Sequence, residues 1–271
     1  MKIIEYHGGL GNQMFEYVYY KYLKNKYPME TFYSYVPKRA MIAHYGLEIN
    51  KWFKVEMAPN NYWVNFIGFF TYWGIRILRR IHIHLPWVSD DSHMSDDKLY
   101  HEGWYQNKYY FLNTERLTFR KDLVLSDKNV EIINDMNSLN SVSVHIRRGD
   151  YLLKKNKETL GGICSLEYYN KAIALMRREI VEPKFFFFSD DSEFVKNHFN
   201  VPNMVIVSNN TGDQSFFDMF LMSNAKNMIL ANSTFSCWAA YLNQKNGLII
   251  APKKWNNKMD IDLNLSKWIT L

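Results

Sequence analysis

The chain has 271 residues, 47% hydrophobic and 22% charged, with a formal net charge of +6. That balance excludes a disordered chain, and the length allows one large domain or two small ones. The basic surplus suits a phosphate-bearing ligand, nucleic acid or an anionic membrane without choosing among them, and two cysteines, Cys164 and Cys237, are too few for a disulfide scaffold and point to a reducing compartment.

The first residues, "KIIEY", read as a strand. "HGGLG" reads as a loop and "NQMFEYVYYKYLKNK" as a helix. No apolar h-region accompanies them, so no signal peptide is expected. After Pro28 the pattern is irregular and aromatic to about residue 125. Within it lies the longest uncharged apolar run, "YWVNFIGFFTYWGI" (62–75), followed by Arg76, Arg79 and Arg80. It is too short to span a bilayer. A core helix with a solvated end is the plainer expectation. Peripheral membrane contact through residues 62–85 is the other.

The second half alternates regularly. Strands are expected at "SVSVHIR" (141–147), "KFFFFSDD", "NMVIVS", "KNMILAN" and "GLIIAP". Helices fall between them, at "SLEYYNKAIALMRREI" (165–180), "DSEFVKNHF", "SFFDMFLMSNA" and "TFSCWAAYLNQ". Short strands alternating with helices predict βαβ units and a parallel sheet. Two α/β domains follow, at 1–125 and 126–271, with the last residues free to pack back on the first.

In an open parallel sheet, ligands sit at the carboxyl ends of the strands. "HIRRGD", "SDD" (189–191), "NSTFS" (232–236) and "HGGLGN" (7–12) all fall there. Strand alternation puts Ser141, Ser143, His145 and Arg147 on one face. Arg147 and Arg148 are placed to grip a diphosphate with paired donors, or to pair with Asp150 in a solvated turn. Gly9, Gly11 and Asn12 form a glycine-rich strand-to-helix turn that admits a ligand backbone-close, or simply a tight turn. Met14 occupies the third glycine position of the dinucleotide fingerprint. Asp190 and Asp191 suit Mg²⁺, a guanine edge or a helix cap. Ser233, Thr234, Phe235 and Ser236 open a helix and offer hydroxyl and amide donors, or only a cap. In "HEGWYQ" (101–106), Trp104 and Gln106 pair an aromatic platform with an amide, as for a sugar, or mark a core edge. No zinc spacing and no Gly-x-Ser-x-Gly elbow occur.

Six segments in order, "HGGLGNQMFEYVYYKYL", "VSVHIRRGDYL", "GGICSLEYYNKAI", "FFFFSDD", "SFFDMFLMSNAKNMILANSTFSCWAAYLN" and "IIAPKKW", resemble the bacterial α-1,2-fucosyltransferases of glycosyltransferase family eleven. The resemblance is thin between about residues 30 and 100. It implies a GT-B-like α/β fold, two Rossmann-like domains facing a central cleft. It implies inverting transfer of L-fucose from GDP-fucose to the 2-hydroxyl of a terminal galactose in an oligosaccharide or glycolipid. No cofactor or divalent metal is expected. On that likeness Arg147 and Arg148 hold the diphosphate, and His145 with Asp190 or Asp191 recognises guanine. Ser233, Thr234 and Ser236 touch phosphate or sugar, and Asn12 with its glycines reaches the donor. Trp104 and Gln106 are the acceptor candidates. Asp150 and Glu158 are the candidate bases, with His7 or another acid of the first domain as the alternative. The chain departs from the family pattern at Glu16, where Gln is common, at Val18, at Cys237 and at Ala239. A cytoplasmic place, at or near the inner face of the membrane, fits these expectations. Two other classes remain open: a basic nucleic-acid-binding protein, although no nucleic-acid partner is expected, and a GDP-sugar-binding relative without transfer activity.

Overall fold

The computed structural model describes residues 1–38 and 45–271. It divides into two compact units, Met1–Lys121 and Asp122–Leu271. Each holds a sheet whose strands are all parallel.

The first unit opens with β1 (Lys2–Glu5), α1 (Leu10–Lys26) and β2 (Phe32–Tyr35). A one-turn helix α2 (Ile49–Trp52) and the long α3 (Tyr62–Leu78) follow. Two strands of two residues each, β3 (Val88–Ser89) and β4 (Tyr100–His101), complete a sheet of order β2-β1-β4-β3, and α4 (Lys108–Leu112) follows. Helix α3 starts at Asn61, whose side chain accepts from the Val64 N–H at 2.9 Å, a helix cap. One stripe of α3, Val64, Tyr72 and Ile75, packs with Ile3, Tyr35, Val88 and Tyr100. Gly68 sits at the closest approach: a Cβ there would overlap the Tyr35 ring. The expectation of a core helix holds for one face only. The opposite face, with Trp63, Phe66 and Phe70, is exposed.

The second unit starts with α5 (Asp127–Ser138), capped by Ser126, and then β5 (Ser141–Ile146). Next come α6 (Lys154–Leu160), α7 (Leu166–Glu179), β6 (Lys184–Ser189) and α8 (Ser192–His198). β7 (Val205–Val207), α9 (Phe216–Asn224), β8 (Asn227–Ile229), α10 (Thr234–Leu242), β9 (Ile249–Ala251) and β10 (Ile269–Thr270) complete it. The sheet order is β10-β9-β8-β5-β6-β7, the doubly wound order of a dinucleotide-binding fold. β5 and β6 are buried along nearly their whole length, which is why they read as continuous apolar runs. The core joins Val142, Val144 and Ile146 to Phe185, Phe187 and Ile229 under Tyr169, Ala172 and Met176 of α7. The last residues form β10 and extend the second unit's own sheet beside β9.

Candidate active site

In a doubly wound sheet the ligand crevice opens where the strand order reverses. Here that point lies between β5 and β8, and the two loops leaving them are Arg147–Gly149 and Leu230–Ser233. Both arginines are held by carboxylates from the end of β6. The Arg147 guanidinium lies 3.1 Å from Asp190 and 2.8 Å from Asp150. Arg148 Nε lies 3.1 Å from Asp191, and its guanidinium lies flat enough over Phe194 to sit 3.5 Å from the ring centroid. The Arg148 backbone N–H donates to Asp190 at 2.9 Å. Gly149 makes this approach possible, since a Cβ there would lie 2.8 Å from Asp190 Oδ2.

Asp191 has a second task. It accepts from the Phe194 N–H at 2.9 Å and so caps α8. That bond, with the Arg148 guanidinium, holds its carboxyl below the usual range. Of the roles read for this carboxylate pair, the helix cap is present, at Asp191, and the pair also makes two ion pairs with the arginines. Among the described residues, the ligand-type side chains close enough together to share an ion are His84, Asp90 and His93, in the first unit.

His145 points from the buried face of β5 towards α10, its ring 5.9 Å from that of Phe235. It is 6% exposed, and its Nδ1 has no hydrogen-bond partner among the described residues. Burial, reinforced by the charge of Arg147, pushes its pKa down to about 3, so the ring is neutral at physiological pH. A buried polar atom without a partner is rare enough to require a reason.

At the start of α10, Ser233 caps the helix through the Phe235 N–H. Thr234 and Phe235 are partly exposed. Ser236 is fully buried and donates to the Ala231 carbonyl at 3.1 Å, so its hydroxyl faces the protein rather than an open site. Glu158 sits on exposed α6, where Lys258 at 2.9 Å holds its carboxyl below the usual range. Tyr151 and Asn232 fix the loops. The Tyr151 hydroxyl donates to the Asn232 carbonyl at 3.0 Å, and the Asn232 amide donates to Leu160.

The first unit carries its own polar cluster where β1 and β4 end. Gly9 occupies the N-cap of α1, and Gly11 lies buried in its first turn. Gln13, fully buried, donates to the Gly8 carbonyl and accepts from the Glu48 N–H, which pins the glycine loop. Asn12 accepts from Gln106 at 3.1 Å. The Trp104 ring lies 4.1 Å from that of His7. His7 Nδ1 is 3.1 Å from Glu16, a carboxylate with no exposed surface, which also accepts from the His7 backbone N–H. Burial raises the Glu16 carboxyl well above its ordinary value. Asp91 accepts from the Trp104 N–H at 2.9 Å and from the Tyr105 N–H, and Tyr105 adopts a left-handed φ of 47° to allow it. A bulky residue in that region is strained. Trp104 and Gln106, on either side of Tyr105, are both half-buried. Asp91 was legible in principle: "SDD" at 89–91 closes β3 as the same triplet at 189–191 closes β6.

Two parallel-sheet units, one of them doubly wound with an arginine pair at its switch point, make a GT-B-like fold. The crystal structure of the α-1,6-fucosyltransferase NodZ soaked with GDP-fucose shares that fold, with a TM-score of 0.53 at 12% identity over 89% of this chain and 91% of that one. The pattern of glycosyl transferase family 11 matches residues 1–271, and the chain belongs to that family. It is 34% identical over 206 residues to the O-antigen biosynthesis glycosyltransferase WbnK of Escherichia coli, covering 69% of this chain and 68% of WbnK. It is 35% identical over 180 residues to an alpha-1,2-colitosyltransferase of the same organism, covering 62% of this chain and 61% of that enzyme.

Proposed function

We propose that this glycosyltransferase moves L-fucose, with inversion, from GDP-fucose to the 2-hydroxyl of a terminal galactose in an oligosaccharide or glycolipid. The observation that carries the reading is the pair Arg147 and Arg148, fixed by Asp190 and Asp191 beside the unpartnered Nδ1 of His145. The relatives favour an α-1,2 linkage and a role in O-antigen assembly.

The reaction breaks the bond between fucose C1 and the β-phosphate oxygen and forms one between C1 and the acceptor oxygen. Negative charge builds on the leaving GDP. Preorganised cations aimed at it lower the barrier, and no reorganisation is needed if they are already held. Arg147 is assigned to that charge, with Arg148 assisting. Asp150, Asp190 and Asp191 act as positioning residues for the two guanidinium groups. His145 contacts guanine, and the Thr234 hydroxyl with the first amides of α10 takes the phosphates. Ser233 acts there through its cap. Positive charge comes from the arginines, so a divalent metal is not required.

The acceptor proton needs a base. Among the three candidates, Glu158 is paired with Lys258 and Asp150 with Arg147. His7 faces a carboxylate that can fix its tautomer, and the Trp104 ring lies tilted beside it as a sugar platform. His7 is therefore the proposed base, with Trp104 and Gln106 on the acceptor. The protein acts in the cytoplasm. The test is incubation with GDP-fucose and a panel of galactosides, with and without EDTA, and determination of the product linkage. An α-1,2-fucosylated galactoside formed in EDTA supports the reading. Release of GDP that no galactoside accelerates rejects it.

A further inference from the structure

Helix α3 has two apolar faces. Residues follow one another by about 100° around a helix. Val64, Tyr72 and Ile75 therefore form one stripe, and Trp63, Phe66, Phe69, Phe70 and Ile77 form another on the opposite side. The first stripe packs on the sheet. The second is open: Trp63 is 68% exposed, Phe70 59% and Ile77 60%. The face continues through Ile81 of the following 3-10 turn, 61% exposed. Soluble surfaces rarely leave so contiguous an aromatic patch uncovered.

The charges beside it point to one occupant. Residues 57–89 contain no Asp or Glu and three arginines, Arg76, Arg79 and Arg80. Arg79 turns inwards to Asp90 and Glu102. Arg76 is exposed over the Tyr72 ring, and Arg80 is exposed with no partner among the described residues. Trp and Tyr favour the headgroup level of a bilayer, where one end of the ring is apolar and the other wet. Arginines there meet lipid phosphates. No helix among the described residues is long and apolar enough to cross a membrane, so α3 would lie in the interface plane.

We propose that the outward face of α3 docks the first unit on an anionic lipid bilayer. Trp63, Phe66, Phe69 and Phe70 enter the headgroup boundary, and Arg76 and Arg80 contact lipid phosphates. The docking does not depend on which sugar the enzyme transfers.

The experiment is sedimentation of the full chain with vesicles of phosphatidylcholine alone, and of phosphatidylcholine with phosphatidylglycerol. Binding is expected to be at least tenfold stronger to the anionic vesicles. The combined substitution Trp63→Ser, Phe66→Ser and Phe70→Ser removes it without lowering the melting temperature. Arg76→Glu with Arg80→Glu removes the preference for phosphatidylglycerol. Should the triple variant fail to fold, quenching of wild-type tryptophan emission by brominated lipid reads the same contact. Wild type that stays in the supernatant with both vesicles overturns the proposal, as does emission left unquenched. So does a dimer in sedimentation velocity that the triple variant dissolves, because the face would then belong to a second copy of the chain.

Discussion

Glu16, wholly buried on α1, faces His7 Nδ1 at 3.1 Å and also takes the His7 backbone N–H. Strand, glycine turn and helix bring the two together across nine positions. Burial makes a bare carboxylate there costly and raises the Glu16 carboxyl well above its ordinary value. If His7 takes the acceptor proton, Glu16→Gln keeps the size of the side chain and removes the acidic group that can pair with the imidazolium. A general base contributes about 10²–10⁴ in rate. The expected result is a fall in kcat of about tenfold or more at an unchanged melting temperature, with the acidic limb of the pH–rate profile moved to lower pH. An unchanged limb removes His7 from the mechanism and leaves Glu16 a structural residue.

Arg147 is gripped by two carboxylates yet is 37% exposed. Its removal should cost little stability, since such partly solvated pairs contribute about 0–1 kcal/mol. Its cost should fall on the transition state instead. Arg147→Ala is expected to lower kcat by about 10²–10³. Single-turnover kinetics with GDP-fucose checks this, and near-wild-type turnover sinks the assignment.

How much of this was legible depended on burial. β5 and β6 were plain because both of their faces are covered, so apolar residues run without interruption. β3 and β4 were not, because a strand of two residues leaves no alternation to read. The same holds for β10. The arginine loop stood out through Arg147 and Arg148. The partners that fix it could not, since Asp190 and Asp191 reach it only through the parallel pairing of β5 with β6. Helix α3 misled for a related reason. Hydropathy measures how apolar a run is and not which face another element covers. Ser236 misled because a hydroxyl at a helix start can turn inwards as readily as out.

The second acid of the first unit makes stability depend on pH in a fixed direction. Burial, reinforced by Glu102, raises Glu5 from its ordinary value to about 8, while Tyr100 donates to it at 2.5 Å. The native state therefore holds a proton that the unfolded chain releases above about pH 4.5. Stability is full below that value and falls as pH rises to about 8, by up to about 1.4 kcal/mol per pH unit. Glu5→Gln removes this contribution, and Tyr100 can still donate to the amide oxygen. Melting temperature against pH should flatten between 4.5 and 8, in part only, because Glu16 acts in the same direction. An unchanged slope would mean that Glu5 is already ionised in the folded protein.

His145 has the opposite sign. Its folded pKa, about 3, lies below the ordinary 6.5, so the native state binds fewer protons than the unfolded chain between those values. Its contribution is intact above 6.5 and lost as pH falls towards 3. The ring thus stays neutral across the working range, and GDP affinity should show no His145 titration between pH 5 and 8. His145→Phe separates structure from binding. A phenyl ring fills the buried space beside Phe235 and leaves no polar atom without a partner, so the fold should hold or gain stability, most visibly at acidic pH. A ligand edge that loses its partner costs about 1–3 kcal/mol, which is roughly 10–100-fold in affinity. Calorimetry with GDP should show that loss. A variant that binds GDP as well as wild type would assign the unpartnered Nδ1 to strain in the sheet and move guanine recognition elsewhere.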